Sequence, residues 1–204
     1  MTQQAALDFY FDFSSPYGYF GAQRIDALAA DAGRAVHWHP ILLGAIFKVT
    51  GAAPLPLVPL KGDYAYRDFE RTARFHGIAY QRPPVFPLAT QAAARAMLWV
   101  GNQHGAARAK QFAQAVYHAY FVDGVDISHL DALAQIADAA GLQAAPLIDA
   151  IGSAPLKQQL KNETEQALAR GVFGSPFVLV DGEPFWGFDR FDQLRAHLQS
   201  APAP

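Results

Sequence analysis

The chain has 204 residues, of which 51% are hydrophobic and 17% are charged. This length suffices for one large domain or two small ones, and the apolar content excludes a wholly disordered protein. Lys and Arg total 16 and Asp and Glu total 18, which gives a net charge of -2. This balance argues against nucleic-acid binding and against a polybasic segment that would bind anionic membranes. The chain contains no cysteine, which excludes disulfides, thiolate metal sites and a cysteine nucleophile.

The start of the chain lacks the features of a secretory leader. Residues 1–6 contain neither a basic segment nor the beginning of a long apolar segment. A run of about 18 apolar residues, as a membrane span requires, is also missing from the sequence. We therefore expect a cytoplasmic protein with no membrane partner.

The first predicted elements are a strand, a helix and a second strand. Residues 7–13 alternate apolar side chains with Asp and Tyr, as in a strand with one buried face. Ser15 before Pro16 is typical of a helix start, and helical spacing continues to about residue 31. Residues 35–42 are predicted to be the second strand. A βαβ unit of this length predicts that the two strands are parallel.

The middle of the chain is predicted to be helical. Residues 44–59 are rich in Gly and Pro and are predicted to form a loop before these helices. Apolar residues then recur at helical spacing over residues 64–75, 90–100, 106–121, 129–140, 145–151 and 154–170.

The end of the chain returns to strands. Residues 177–180 and 183–186 flank an Asp-Gly pair and are predicted to form a hairpin. A last helix is predicted over residues 190–199, capped by Asp189, and the tail, residues 201–204, is predicted to fray.

This order of elements, βαβ, helices and ββα, predicts an α/β protein with the thioredoxin fold. Residues 1–48 and 170–204 would form the thioredoxin-like domain. Residues 49–169 would form a large, all-helical insertion domain.

Two serines lie where the first strand leads into the first helix. Residues 13–17 read Phe-Ser-Ser-Pro-Tyr. The free N–H groups and the dipole of a helix start favour an anion, and a hydroxyl there can donate to a bound thiolate. Simple capping of the helix by a serine explains the motif as well, and from spacing alone it is the commoner explanation.

Two further motifs lie near the end of the chain. In Gly-Val-Phe-Gly-Ser-Pro, residues 171–176, a cis Ser175–Pro176 bond is predicted, which would free the Ser175 main chain to pair with an extended ligand. The alternative is an ordinary edge strand. In Trp-Gly-Phe-Asp-Arg, residues 186–190, a second helix start could receive a carboxylate while Asp189 takes an ammonium group, or Asp189 could simply cap.

His37 and His39 share one face of the second predicted strand. Two histidines without an evident third ligand do not predict a zinc site, so no metal is expected. The sequence also lacks the motifs of zinc metalloproteases, serine hydrolases, dinucleotide-binding folds and phosphate-binding loops.

Taken together, the three motifs resemble those of the 2-hydroxychromene-2-carboxylate isomerases and of their relatives, the kappa-class glutathione transferases. Both groups belong to the DsbA-like branch of the thioredoxin fold. The resemblance runs from residue 7 to about residue 198. It implies glutathione as the cofactor, a small aromatic carboxylate as the substrate, a homodimer, and a role in aromatic hydrocarbon catabolism.

The resemblance also implies roles for five residues. Ser15 matches the catalytic serine, which contacts the glutathione sulfur. Ser175 matches the residue whose main chain pairs with the cysteinyl unit. Asp189, with the main chain of Phe188, matches the site for the γ-glutamyl end, and Lys61 matches a lysine near the glycyl carboxylate.

At three positions the chain departs from the family pattern. Phe188 replaces a small polar residue, and Ala52 and Ala89 stand near positions where the family often has Asn. These changes remove side-chain hydrogen bonds and leave the main-chain ones. They leave the affinity for glutathione and the ring system of the substrate open.

The implied reaction is an isomerisation in which glutathione supplies the nucleophile. Its thiolate adds to 2-hydroxychromene-2-carboxylate, the ring opens, a carbon–carbon bond rotates, and elimination releases trans-o-hydroxybenzylidenepyruvate. Two alternatives stay open: a kappa-type transferase that conjugates electrophiles, and a non-catalytic module that binds glutathione or peptide. The absence of cysteine excludes a disulfide oxidoreductase.

Overall fold

The computed structural model describes residues 6–200. The predicted fraying of residues 201–204 lies outside this range, as do residues 1–5. The strands are β1 (Leu7–Phe11), β2 (Val36–Pro40), β3 (Phe177–Val180) and β4 (Glu183–Trp186). The helices are α1 (Pro16–Ala22), α2 (Ile25–Asp31), α3 (Leu43–Thr50), α4 (Lys61–His76), α5 (Gln91–His104), α6 (Ala106–Phe121), α7 (Leu130–Ala139), α8 (Ala144–Ile151), α9 (Ala154–Ala169) and α10 (Phe191–Ser200). Two 3₁₀ turns lie at Leu55–Leu57 and Phe188–Arg190.

The strands form one mixed sheet in the order β2-β1-β3-β4. β1 pairs with β2 in parallel, with Phe9 opposite Trp38. β3 pairs antiparallel with β1 and with β4, and Phe9 faces Val178 across the first of these pairs. The predicted parallel βαβ unit and the C-terminal hairpin are therefore confirmed, and the topology is that of a thioredoxin fold.

The two faces of the sheet differ in what they bury. Phe9 and Phe11 point into the larger apolar core, where they contact Trp38 with ring centroids 5.1 and 5.4 Å apart. This core continues among the middle helices and includes Phe112 and Tyr117 of α6. The sheet and the helical block thus share packed side chains, and the division into two domains stays a prediction.

The prediction of a loop over residues 44–59 is wrong up to Thr50, where the chain forms α3, and it is confirmed for residues 51–59, which are irregular apart from a 3₁₀ turn. Gly51 and the prolines after it favour a loop, but the apolar residues before them form a helix that buries Ile46 against the sheet face that also contains Tyr10. Gly51, with φ of 72°, ends the helix in the left-handed conformation that glycine favours. Burial of one apolar face therefore stabilises a helix up to this glycine.

The elements that flank the site also differ from prediction. The first helix is divided into α1 and α2, because the chain turns at Arg24, whose N–H bonds to the Gly21 carbonyl. Asp189 does not cap the last helix. It lies inside the 3₁₀ turn before α10, which Gly187 permits with φ of 103°.

Among residues 6–200, no helix combines the length and the apolar character needed to cross a membrane.

Candidate active site

A large cleft opens beyond the end of β1, with a volume of about 1650 Å³. Its walls come from the β1–α1 connection, the segment between α3 and α4, and the residues on either side of the hairpin. All five residues singled out from the sequence line it: Ser15, Lys61, Ser175, Phe188 and Asp189. The fold therefore brings together positions that lie up to 174 residues apart.

Ser15 stands at the floor of the cleft and caps α1. Its Oγ accepts the N–H of Gly18 at 2.9 Å and donates to the Ser175 carbonyl at 3.0 Å, and only 6% of the residue is exposed. The capping explanation is thus confirmed for Ser15. The same contacts fix the oxygen while leaving its single proton free to rotate from one acceptor to another.

Ser175 belongs to the motif that meets Ser15. The predicted cis bond between Ser175 and Pro176 is present. The Ser175 hydroxyl accepts the N–H of Asp12 at 3.1 Å, while none of the residues 6–200 accepts the N–H of Ser175 in a hydrogen bond. This N–H remains available to an extended ligand in the cleft.

Gly18 makes the approach of the two serines possible. A Cβ at this position would lie 2.6 Å from the Ser175 Oγ and 3.0 Å from the hydroxyl of Tyr117. That hydroxyl donates to the main-chain carbonyl of Asp12 at 3.1 Å. Any larger side chain at Gly18 would push the floor of the cleft apart.

Asp12 is a site residue that the sequence reasoning missed. Its carboxylate accepts the N–H of Ser14 and the N–H of Leu43, both at 2.8 Å, and also bonds to the Thr90 side chain. Burial raises the pKa of Asp12, and these hydrogen bonds counter part of that rise. One buried carboxylate thus joins the ends of β1, α3 and α5. A charged residue two positions before the Ser-Ser-Pro segment was the signal available in the sequence.

The two serines of the first motif have different partners. Ser14 does not cap α1, and its Oγ instead accepts the N–H of Leu88 at 3.2 Å. Leu88 follows the cis Phe86–Pro87 bond in the loop that forms the opposite wall. Ser14 therefore holds this wall in place, and Ser15 presents a hydroxyl at the floor.

Phe188 and Asp189 lie on the 3₁₀ turn, with opposite exposures. The Phe188 ring is buried against Phe20, His76 and Phe191, with centroids 5.9, 4.7 and 5.1 Å away. Only its main chain is left to meet a ligand. The Asp189 side chain is 74% exposed at the rim, where it can accept from a cation.

Lys61 begins α4 on the other side of the cleft. It follows Leu60, whose φ of 67° is rare for a residue other than glycine. The N–H of Lys61 bonds to the Pro59 carbonyl at 2.8 Å, which closes a tight turn. This turn places the first ammonium group of α4 at the mouth of the cleft.

Aromatic rings form the deeper side wall. The ring of Tyr17 lies 5.0 Å from that of Phe69, and its hydroxyl donates a short hydrogen bond to Asp68. Burial and this anionic neighbour raise the pKa of Tyr17 well above its usual value, so the hydroxyl stays protonated. Ala52 and Ala89 also line the cleft and contribute only methyl groups.

Comparison with known proteins agrees with this geometry. The sequence profile of the DSBA-like thioredoxin domain matches residues 6–199. The 2-hydroxychromene-2-carboxylate isomerase of Sphingobium xenophagum is 32% identical over 94% of this chain and 97% of its own length. Human glutathione S-transferase kappa 1 is 28% identical over 94% of this chain and 89% of its own.

A solved structure has the same fold over almost the whole chain. A 2-hydroxychromene-2-carboxylate isomerase structure superposes with a TM-score of 0.86 at 24% identity, covering 95% of this chain and 94% of that one. The fold and the sequence similarity agree, and the chain belongs to the DsbA-like thioredoxin family, in the branch of the 2-hydroxychromene-2-carboxylate isomerases.

Proposed function

We propose that this protein is a glutathione-dependent isomerase that converts 2-hydroxychromene-2-carboxylate to trans-o-hydroxybenzylidenepyruvate. One observation carries the proposal. A serine hydroxyl, fixed by Gly18 and Ser175, occupies the floor of the cleft in a chain that has no cysteine. The reactive sulfur must then come from a bound thiol. The relatives that are named as isomerases and as glutathione transferases support glutathione in this role.

The charges and free main-chain groups of the cleft match an extended glutathione. Its cysteinyl unit would pair with the free N–H of Ser175, which places the sulfur beside the Ser15 Oγ. Lys61 would bind the glycyl carboxylate. Asp189 would accept the γ-glutamyl ammonium, with the main chain of Phe188 alongside. The glycyl carboxylate and the γ-glutamyl ammonium thus each meet a group of opposite sign.

Ser15 would activate the thiol by donating a hydrogen bond to the thiolate. A free thiol has a pKa of about 8.5, so only a few per cent is ionised at neutral pH. Rotation of the Ser15 proton from the Ser175 carbonyl to the sulfur stabilises the anion without moving the oxygen, which Gly18 holds. A decrease of one unit in the thiol pKa corresponds to about 1.4 kcal/mol of such stabilisation.

The reaction then leaves glutathione unchanged. The sulfur adds to the conjugated chromene, the ring carbon–oxygen bond opens, and the carbon–carbon bond that has lost its double-bond character rotates. Elimination re-forms the double bond in the trans configuration and expels the thiolate. Substrate and product have the same atoms, so no oxidant or reductant is needed.

The cleft has space for both molecules. Its volume of about 1650 Å³ exceeds the 300–1,000 Å³ that is typical of a site for one small ligand. The segment between α3 and α4 and the ring of Phe86 provide an apolar wall facing the thiol site. An aromatic carboxylate fits such a wall, with its charged group near the polar rim.

A spectrophotometric assay with 2-hydroxychromene-2-carboxylate tests the proposal. We expect turnover that depends on added glutathione, with no net loss of thiol when the reaction is complete. Turnover that is equally fast without glutathione would contradict the cofactor role. Absence of turnover at saturating glutathione would contradict the isomerase proposal.

The kappa-type transferase is the second candidate, and the human relative favours it. Consumption of one thiol per electrophile, measured with a thiol reagent, would distinguish it from the isomerase. A non-catalytic module would show glutathione binding in calorimetry with neither activity. The cytoplasmic location, the homodimer and the role in aromatic catabolism stay predictions.

A further inference from the structure

A second polar cluster lies on the sheet face that points away from the larger core, and none of its members lines the cleft. Asp8 of β1 is paired in register with His37 of β2, and His39 follows on the same face. Glu163 of α9 and Arg170, just beyond the end of α9, border the group.

Asp8 stands between the two histidines. Its Oδ1 lies 3.0 Å from the Nε2 of His39 and 3.6 Å from the Nδ1 of His37. One ligand atom from each of the three residues falls within 4.8 Å of the others. Donors bound to one zinc ion at about 2.0–2.1 Å in tetrahedral geometry are separated by about 3.3 Å. The cluster therefore needs only a small adjustment of its side chains to share one ion.

The surrounding residues orient these donors. The Nδ1 of His39 bonds to Glu163 Oε2 at 3.1 Å, so its Nε2 is aimed at Asp8. Arg170 donates to the other carboxylate oxygen of Asp8 at 2.7 Å, which leaves Oδ1 facing the histidines. A histidine whose second nitrogen is held by a carboxylate is the usual arrangement around a protein-bound metal.

We propose that Asp8, His37 and His39 form a binding site for one divalent transition-metal ion of the zinc type. With neutral imidazoles, two carboxylates and one guanidinium leave a formal charge of -1 on the cluster, which favours a cation. The side chain of His37 is 65% exposed, so water can complete the coordination. The sequence lacked an evident third ligand only because Asp8 reaches the histidines through strand pairing.

The chain offers a matched control. His118 and Asp123 also form a histidine–carboxylate pair at 3.0 Å, and both side chains are more than half exposed. Among residues 6–200, no third potential ligand lies close enough to His118 and Asp123 to form a metal site with them. It reports what one exposed pair contributes to metal affinity.

Isothermal titration of the tag-free, chelator-treated protein with zinc chloride tests the site. We expect one equivalent to bind with a dissociation constant in the micromolar range. His37→Ala should weaken binding at least tenfold, whereas His118→Ala should leave it unchanged. Because His37 is exposed, its replacement should not affect folding, and far-UV circular dichroism checks this.

A second measurement identifies the ligands spectroscopically. Cobalt(II) bound to the wild-type protein should give the visible absorption of a protein-bound tetrahedral or five-coordinate ion, and His39→Gln should abolish it. Absence of zinc binding by the wild-type protein would overturn the proposal. Equal losses in the His37→Ala and His118→Ala variants would overturn it as well, since they would indicate nonspecific binding by surface histidines.

Discussion

The two walls of the cleft are built in different ways. On the thioredoxin side, Asp12 and Ser15 are buried, Ser175 is half-buried, and hydrogen bonds of 3.0–3.1 Å join the three residues. The facing segment between α3 and α4 is irregular, and it exposes the apolar side chains of Leu55 and Leu60. The first wall is held rigidly by its own contacts. The hydrogen bonds of the second connect only residues two to four positions apart along the chain, so they do not fix it to the sheet.

This difference suggests how the two proposed ligands would be recognised. Glutathione has an invariant peptide backbone, which a preformed main-chain site can pair with at little entropic cost. An aromatic substrate is recognised mainly by apolar contact, which is not directional and tolerates an adaptable wall. Changes in the rigid wall should therefore affect cofactor and chemistry, and changes in the other wall should affect the substrate alone.

The largest effect is expected for Ser15→Ala. Loss of the hydroxyl that we propose as the donor to the sulfur should reduce turnover about 100-fold, as removal of one preorganised donor does in other enzymes. Ser14→Ala is the control, because Ser14 bonds to the loop at Leu88 and not to the thiol site, and it should cost less than about threefold. Steady-state kinetics compares them, and equal small losses would contradict the role of Ser15.

A substantial effect is also expected when a methyl group is added to the rigid wall. Gly18→Ala places a Cβ 2.6 Å from the Ser175 Oγ, and such overpacking typically costs about 1–3 kcal/mol. Displacement of Ser175 should also weaken glutathione binding about tenfold in calorimetry.

Gly44→Ala is the matched control, at a glycine of the cleft that lies outside the rigid wall. Gly44 lies in α3, and a Cβ there meets no atom within 4 Å. Replacement should stabilise the protein by up to about 1 kcal/mol, because alanine favours a helix more than glycine does. If denaturant unfolding shows that Gly18→Ala and Gly44→Ala lower the free energy of unfolding equally, the difference in packing between the two positions is contradicted.

A moderate effect on stability, without an effect on the cleft, is expected for Asp181→Asn. Asp181 accepts two hydrogen bonds from the buried guanidinium of Arg34, at 2.6 and 2.8 Å. Asparagine tolerates the φ of 52° at this turn but keeps only one acceptor oxygen. Since the carboxylate is 43% exposed and screened by water, we expect a loss of about 1 kcal/mol at pH 7.

The pH dependence of this loss has a defined sign. The hydrogen bonds from Arg34 lower the pKa of Asp181 below that of an unfolded aspartate, about 3.9. The stabilisation is therefore fully present above this value and disappears as the pH falls through the lower pKa of the folded state. Unfolding experiments at pH 7 and pH 3 should show the difference between wild type and variant shrinking in acid. A constant difference would contradict the ion pair as its cause.

The smallest effect is expected in the adaptable wall. Leu55 lines the cleft, so Leu55→Ser should raise the KM of the aromatic substrate a few-fold by removing apolar contact, with glutathione affinity unchanged. Leu57→Ser is the control, since Leu57 belongs to the same 3₁₀ turn but does not line the cleft. A change in glutathione affinity in the Leu55 variant would show that the two walls are not independent.

Local patterns predicted several elements that the structure confirms. The alternation in β1 and the Asp-Gly hairpin depend on residues close together in the chain, and so does the cis bond before Pro176. The prediction missed α3, because helix formation there depends on packing of Ile46 against the sheet. Propensity is a weak guide wherever tertiary burial supplies most of the stabilisation.

The features of the site can likewise be separated into those that the local sequence predicts and those that depend on the tertiary structure. The sequence by itself determined that the protein brings no thiol of its own and that Ser15 starts a helix, because composition and capping are local properties. Only the tertiary structure decided that Asp12 joins three segments and that Asp8 stands between two histidines. These contacts join Asp12 to Leu43, 31 residues away, and Asp8 to His37 and His39, 29 and 31 residues away. Such contacts arise from strand pairing and helix packing, and local sequence patterns do not encode them.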